Sequence, residues 1–396
     1  MPAPTSLTPF PPGRNSGEVL LRFIHTSDWQ VGKVFRMFDR EVEAVLQSER
    51  LEVIERLGGL AQKHSAVAIL VAGDVWDHAE PSDRTLAQPL ERMRSFPTVE
   101  WHLTPGNHDP HQPGGAWESL QERGLPPNVK LHLHQEPAPI GDGKAWVLPA
   151  PLSRRHTIGD PTQPMDEMHT PPGALRVGLA HGSIRDFSAD GLTTHNRISP
   201  DRAERAHLDY LALGDWHTLR QIDPKTWYSG TPEPDSFAED ANGKALLVEL
   251  TGPGRPPIVT PLDPGRFRWV QQKATLHDEQ DIRALADQLR RLDSTLGRLL
   301  VDLRVTGTLG VAARATFDAE ITRGVGPALF ALRLDDAGLV LAPTEEDLDA
   351  IDHAGFVRTA ADRLRQRAAD QTDPQRDAAA LALRELWTLH ARTTDA

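Results

Sequence analysis

Residues 20–30 read Leu20-Leu21-Arg22-Phe23-Ile24-His25-Thr26-Ser27-Asp28-Trp29-Gln30. Leu20 to Ile24 is an apolar run with the character of a strand, and Thr26 to Gln30 turns abruptly polar. From Arg40 to His64, the residues Val42, Val45, Leu46, Val53, Ile54, Leu57, Leu60 and Ala61 recur largely at helical spacing. The opening therefore predicts a strand, a polar loop at its carboxyl end, and an amphipathic helix.

The same arrangement returns along the chain. Val67–Ala72 is a short, continuous apolar run of the kind a doubly buried strand requires, and it ends at Gly73-Asp74. Val99–Leu103 precedes Thr104-Pro105-Gly106-Asn107-His108-Asp109, Leu175–Ala180 leads into His181-Gly182, and Tyr210–Leu213 leads into Gly214-Asp215-Trp216-His217. Ligand sites in α/β folds gather beyond the carboxyl ends of strands, so five strands are expected to deliver polar residues to one edge. Ala145–Leu148 and Ala245–Leu250 read as further strands, and Pro161–Pro172, with four prolines, as a loop.

These signals divide the chain into a disordered tail (1–19), a catalytic α/β domain (20–265), a small α/β accessory domain (266–342) and a C-terminal helical segment (343–396). The accessory domain is expected to hold a helix over Glu279–Leu292 and strands at Leu299–Val305 and Ala328–Leu334. Helices are expected over Glu345–Arg367 and Pro374–Ala391.

A chain of 396 residues is long enough for more than one core. It has 39% hydrophobic and 25% charged residues and no apolar run of membrane-spanning length, so a membrane location is not expected. Met1–Gly17 is rich in proline but lacks the basic and apolar regions of a secretory signal, which points to the cytoplasm. The absence of cysteine removes thiolate ligands and cysteine nucleophiles. A net charge of −13 argues against a broadly basic DNA-coating surface, although it says nothing of local potential near a bound cation.

Asp28, Gln30, Asp74, Asn107, His181, Asp215 and His217 all fall at inferred strand ends and carry O or N donors suited to hard divalent cations. Each alone has an ordinary explanation: Gly-Asp is a common turn, Asp28 is a plausible cap, and a lone histidine is usually structural. Five such elements, each closing an apolar strand, favour a shared metal site. Hydrolysis of a phosphodiester needs an activated water and neutralised phosphoryl charge, and a pair of cations bridged by one carboxylate supplies both.

The blocks Asp28-Trp29-Gln30, Gly73-Asp74-Val75-Trp76-Asp77, Gly106-Asn107-His108-Asp109, His181-Gly182 and Gly214-Asp215-Trp216-His217 resemble the five ordered blocks of calcineurin-like metallophosphoesterases. Within that family, Phe23-Ile24-His25-Thr26-Ser27-Asp28-Trp29 and the chain length look like the SbcD-type nuclease subunit of a DNA end-processing complex. The resemblance implies a four-layer β-sandwich flanked by helices, with a small capping domain and C-terminal helices. It implies two divalent ions, manganese first and magnesium as the alternative, with Asp74 bridging them. Asp28, Gln30 and His217 would complete one shell, and Asn107, His181 and Asp215 the other. A hydroxide bridging the metals would attack phosphorus, His108 would assist at the scissile phosphate, and Asp109 would orient His108 or a nearby loop. The implied partners are DNA, an SbcC-like ATPase and a second copy of the chain, docked through helices near 83–95 and 114–124.

Two positions depart from the family pattern: Gln30 stands where a histidine is usual, and Asp215 replaces the first histidine of the last block. Gln30 weakens one shell, and Asp215 adds a carboxylate that favours a hard ion. Alternative readings are a phosphodiesterase or phosphatase for a small substrate, and a non-catalytic scaffold with a degenerate site. His132 and His134 are expected to face solvent and His25 to pack or bond inside the first strand-to-loop turn. Trp29, Trp76 and Trp216 are expected to buttress ligands rather than stack bases, and Tyr228–Glu233 to line the substrate cleft.

Overall fold

The computed structural model describes residues 18–184, 195–238, 243–341 and, except for 371, 377 and 384, 355–386. The expected tail lies almost wholly outside the described residues, as do Leu348 and Ile351 of the expected C-terminal helix. The chain divides into two compact units, one of residues 1–34, 46–233 and 243–265 and the other of 35–45, 234–242 and 266–396.

The first unit is built on two six-stranded sheets. One has the order Ile258–Leu262, Ala245–Leu250, Leu21–Thr26, Ala68–Ala72, Glu100–Thr104, Val129–Leu131; the last four strands are parallel and the first two pairings antiparallel. The other runs Arg220–Gln221, Thr226–Tyr228, Tyr210–Gly214, Leu175–His181, Ala145–Ala150, Ala138–Ile140. The five strands expected to share one edge are thus split three and two between sheets. They still converge, because the sheets pack face to face and Ala68–Ala72 contacts both Leu175–His181 and Tyr210–Gly214.

Strand alternation explains the layering. Ala68, Leu70 and Ala72 point into the core between the sheets, together with Phe23, Val177, Leu179, Tyr210 and Ala212. Ile69 and Val71 point the other way, into a core with Ile54, Leu57 and Ala61 of the helix Arg40–Lys63. On the far side of the second sheet, Leu211 and Leu213 pack with Leu148, Leu208 and Met165. A strand needed on both faces has to be apolar throughout, which is why Ala68–Ala72 reads as an unbroken run, while Val67 just before it is exposed. Met165 belongs to a short 3-10 turn, Gln163–Asp166, inside the proline-rich loop.

In the second unit, Arg268–Leu276, Leu299–Leu309 and Ala331–Leu341 form a three-stranded parallel sheet in sequence order. The helix Glu279–Arg291 connects the first two, and the Asp278 side chain caps it by accepting from the backbone N–H groups of Gln280 and Asp281 at 2.8 and 3.0 Å. Val301, Leu303 and Val305 face Ile282, Leu285, Leu289, Phe317 and Ile321, while Asp302 and Arg304 occupy the opposite face. Further along, Phe356–Ala369 is helical, and Ala361 and Leu383 are buried together. Among the described residues, no helix is long and apolar enough to cross a membrane.

Candidate metal centre

The parallel ladder between the first two strands does not stop where the strands do. Asp28 N–H donates to Gly73 O (3.1 Å), Gln30 N–H to Asp74 O (2.9 Å) and Val31 N–H to Val75 O (2.8 Å). The two ligand-bearing loops are therefore zipped to each other. The backbone is bent unusually to allow this: Asp28, Gln30, Asp74 and Asp215 all have positive φ, at 55°, 45°, 55° and 105°. Left-handed backbone at non-glycine residues carries strain, and its concentration in four candidate ligands is typical of a site held in place by its surroundings.

Across the cluster, one donor atom each from Asp28, Asp74 and His181 lie within 4.8 Å of one another, and all three residues are buried. His181 Nε2 is 3.5 Å from Asp74 Oδ1 and 3.7 Å from Asp215 Oδ1, and His217 Nε2 is 3.8 Å from Asp28 Oδ1. Asn107 Nδ2 donates to Asp215 Oδ1 at 3.3 Å, and Gln30 Nε2 lies 3.2 Å from His217 Nε2. All seven nominated donors are brought into one connected group.

The group fits a divalent cation on two observations. A carbonyl oxygen only accepts, so His181 donates its Nδ1–H to Ala72 O at 2.8 Å and turns the other nitrogen inward, the arrangement a metal-ligating imidazole adopts. That Nε2 and the Asn107 Oδ1 are buried with no hydrogen-bond partner among the described residues. Orphaned acceptors beside three carboxylates are costly unless a cation or proton meets them. Burial pulls the His181 proton affinity down, but Asp74, Asp28 and Asp215 outweigh it and push its pKa up to about 9. For Asp28, burial is the main force raising the carboxyl pKa, with Asp74 adding to it and His217 and His181 opposing.

His108 sits at the rim, partly exposed. Its backbone N–H donates to Asp74 Oδ1 (2.9 Å) and its Nδ1–H to Asp77 O (2.8 Å), so Nε2 is the ring nitrogen not committed to that contact. Asp109 does not orient this ring. It is fully buried and accepts from Gly106 N–H (2.7 Å), Val75 N–H (2.8 Å) and Trp76 N–H (3.1 Å), pinning two ligand loops together.

Several expectations about neighbouring residues are revised. Tyr228, Ser229, Thr231 and Glu233 do not line a cleft. They are buried behind the first loop, where Ser229 Oγ lies 2.9 Å from Ser27 Oγ, Thr231 Oγ1 donates to Asp28 O (2.9 Å), and Glu233 pairs with Arg56 at 2.8 Å. His132 is buried rather than solvent-facing, because its ring stacks on His102 with an Nδ1–Nε2 contact of 2.9 Å; His134 is exposed. His25 is buried, but its bonds do not stay inside the first turn: they cross to Tyr210 OH (2.9 Å) and Leu213 O (3.2 Å) on a strand of the other sheet. Trp29 and Trp76 are wholly buried, bonded to Thr26 Oγ1 and Thr85 O, and have no face for a base. Trp216 is half-buried, donates to Ser183 Oγ at 3.2 Å, and carries the Arg220 guanidinium 4.8 Å over its ring.

Sequence reading did not single out Ser183, whose hydroxyl donates to Asp215 Oδ2 at 2.6 Å, or Ser27, which donates to Asp28 Oδ2 at 2.6 Å. It also passed over Lys33, whose ammonium donates to Gln30 Oε1 at 2.9 Å. Adjacency to a nominated ligand was the only available signal for Ser27, and a three-residue spacing for Lys33.

Residues 21–248 match the family model described as calcineurin-like phosphoesterase. A Rhodobacter capsulatus protein, named as the D subunit of the nuclease SbcCD, is 29% identical over 375 residues, covering 82% of this chain and 88% of that protein. The Bacillus subtilis protein of the same name is 22% identical over 272 residues, covering 59% of this chain and 67% of its own. The Escherichia coli K12 protein of that name is 33% identical over 91 residues, covering 22% of this chain and 21% of its own.

Proposed function

Because this chain belongs to the calcineurin-like phosphoesterase family, we propose that it is a metal-dependent DNA nuclease, most simply an exonuclease, in a repair or end-processing complex. The observation that carries the metal-hydrolase reading is the buried cluster of Asp28, Asp74 and His181, with His181 Nε2, which makes no hydrogen bond among the described residues, turned toward the carboxylates. DNA as substrate rests on the relatives named as nuclease subunits, one of them similar over 82% of this chain.

Asp28, Gln30, Asp74 and His217 would hold one divalent ion, and Asp74, Asn107, His181 and Asp215 a second, with Asp74 shared. Hard oxygen donors predominate, which suits Mn²⁺ or Mg²⁺. When bound, such ions acidify a water nucleophile and neutralise charge on the phosphoryl oxygens. The protein's own contribution is positional. Asp109 holds the Gly106 and Val75 loops in register. His108, fixed through Nδ1, presents Nε2 to the phosphate, where it donates a proton to the leaving oxygen or a hydrogen bond to the phosphoryl group.

By extension from those nuclease relatives, the chain works in the cytoplasm as a homodimer with an SbcC-like ATPase. Support for partner binding comes from the helix Phe356–Ala369, where Phe356 is 88% exposed and Ala360 follows one turn later. The domain boundaries at 265 and 342 belong to the same reading. The net charge of −13 favours a second reading, hydrolysis of a small phosphodiester.

The test is turnover of labelled DNA and of a chromogenic phosphodiester by the purified chain with Mn²⁺ or Mg²⁺, beside His108→Ala and Asp74→Asn. DNA cleavage that both substitutions abolish supports the nuclease. Cleavage of the small ester alone supports the second reading, and activity equal in all three proteins refutes both.

A further inference from the structure

The Gln30 side chain, which stands where the family's usual histidine would, is gripped from both ends. Lys33 Nζ donates to its Oε1 at 2.9 Å, and its Nε2 lies 3.2 Å from His217 Nε2. An ammonium has only protons to give, so the amide oxygen has to face Lys33 and the amide nitrogen has to face His217. Because that nitrogen can only donate, His217 Nε2 is the acceptor and its lone pair is engaged. The residue has little freedom to change this: Gln30 is 1% exposed, its backbone φ is 45°, and Lys33 N–H closes the turn onto Gln30 O at 3.1 Å.

The consequence falls on one half of the cluster only. Gln30 Oε1 and His217 Nε2, the atoms that would turn to a cation beside Asp28, are both spent within the protein. Opposite them, His181 Nε2 and Asn107 Oδ1 have no hydrogen-bond partner among the described residues. One set thus keeps two donor atoms that no hydrogen bond from the described residues engages, and the other has its Gln30 and His217 atoms held in a chain that ends on the Lys33 ammonium.

We propose that the two cation positions are intrinsically unequal and that Lys33 sets the difference. The position formed by Asp74, Asn107, His181 and Asp215 fills first. The position formed by Asp28, Gln30, His217 and the shared Asp74 fills only when the Lys33–Gln30–His217 chain breaks, making Lys33 a positioning residue that controls metal occupancy. The inference rests on the metal-hydrolase reading above. A charge-assisted hydrogen bond is equivalent to roughly ten- to a hundredfold in an equilibrium constant, so the second ion should bind at least about tenfold more weakly than the first.

The experiment is a Mn²⁺ titration of the chelator-stripped full chain, followed by calorimetry and by the paramagnetic resonance of free Mn²⁺. Wild type should take up one ion tightly and a second at least about tenfold more weakly. Lys33→Met should tighten the second by about tenfold or more and leave the first unchanged, whereas Lys33→Arg, which keeps a cationic donor, should retain the weak second position. Gln30→His should also strengthen the second, and its doubly loaded form should show the exchange-coupled spectrum of a metal pair. Two equal equivalents in wild type, or a second affinity indifferent to Lys33→Met, would overturn the inference while leaving the metal-hydrolase reading intact. Failure of wild type to bind Mn²⁺ any better than Asp74→Asn would overturn that reading itself.

Discussion

Substituting Gly106 by alanine should uncouple metal binding from folding. Gly106 does not have a positive φ, so alanine is conformationally admissible there and only space is at issue. A methyl group on its Cα would overlap the Asp74 carboxylate oxygen and backbone nitrogen and lie 2.9 Å from Asp74 Cγ. Comfortable separations begin near 3.5 Å, so the carboxylate oxygen has to retreat by about 1.4 Å and the Asp74 backbone nitrogen by about 1 Å. Overpacking of this kind costs about 1–3 kcal/mol, which a domain of this size survives. A functional constellation, by contrast, tolerates displacement of only about 0.5 Å. At a Mn²⁺ concentration a hundred times its dissociation constant, the ion stabilises wild type by about 2.7 kcal/mol, or roughly 5–10 °C in melting temperature. Gly106→Ala should fold, melt a few degrees lower without metal, and show little or none of that rise. Gly59→Ala is the control: it lies within the helix Arg40–Lys63 with open space around its Cα, and should gain about 0.5–1 kcal/mol while keeping the full metal response. A Gly106→Ala protein with the wild-type Mn²⁺ shift would refute the claim that this glycine exists to let Asp74 approach.

Because His181 carries its proton up to about pH 9, binding of the first cation at pH 7 should expel about one proton. Affinity should then rise about tenfold per pH unit until it levels above about 9; calorimetry in buffers of different ionisation heat measures this, and binding without proton release would contradict it. Burial, opposed by the bond to Leu213 O, holds His25 at about 3 against 6.5 when unfolded. Its contribution, on the order of 5 kcal/mol, is therefore present above pH 6.5 and is lost as pH falls toward 3. His25→Gln should shift acid unfolding to lower pH; an unchanged midpoint would show that other groups govern it. Asp109→Ala leaves three buried N–H donors without an acceptor and should cost about 3–5 kcal/mol by denaturant titration, reduced by relief of a carboxylate whose burial raises its pKa well above the usual range. A cost below about 1 kcal/mol would mean that water or a loop shift replaces those bonds.

The first unit was legible because its strands are apolar and its site residues follow them directly. Ala245–Leu250 and the helix beginning at Arg40 were located to within a residue or so, since burial on one or both faces writes itself into periodicity. Arg268–Leu276 was missed: its sequence, Arg-Trp-Val-Gln-Gln-Lys-Ala-Thr-Leu, lies at a sheet edge and buries only Trp269 and Leu276 fully. Thr226–Tyr228 and Ala138–Ile140 are three residues each, too short for any pattern. In the site, side chains that end strands could be nominated from sequence, but their bracing could not. Burial of Ser229 behind Asp28 and the stacking of His132 on His102 depend on pairings between distant segments, and the division of the five blocks between two sheets has no local signature.

That division has a mechanical corollary. Asp28, Asp74 and Asn107 ride on one slab, and His181, Asp215 and His217 on the other, so the gap between donors is set by the filling between the slabs: Phe23, Leu70, Leu179, Tyr210 and Leu246. Shaving a methylene from that filling lets the slabs settle and detunes the spacing of the jaws without touching a donor. Interior side chains thereby act as shims, so a packing change between the slabs is expected to register in the spacing of the candidate ligands as well as in stability.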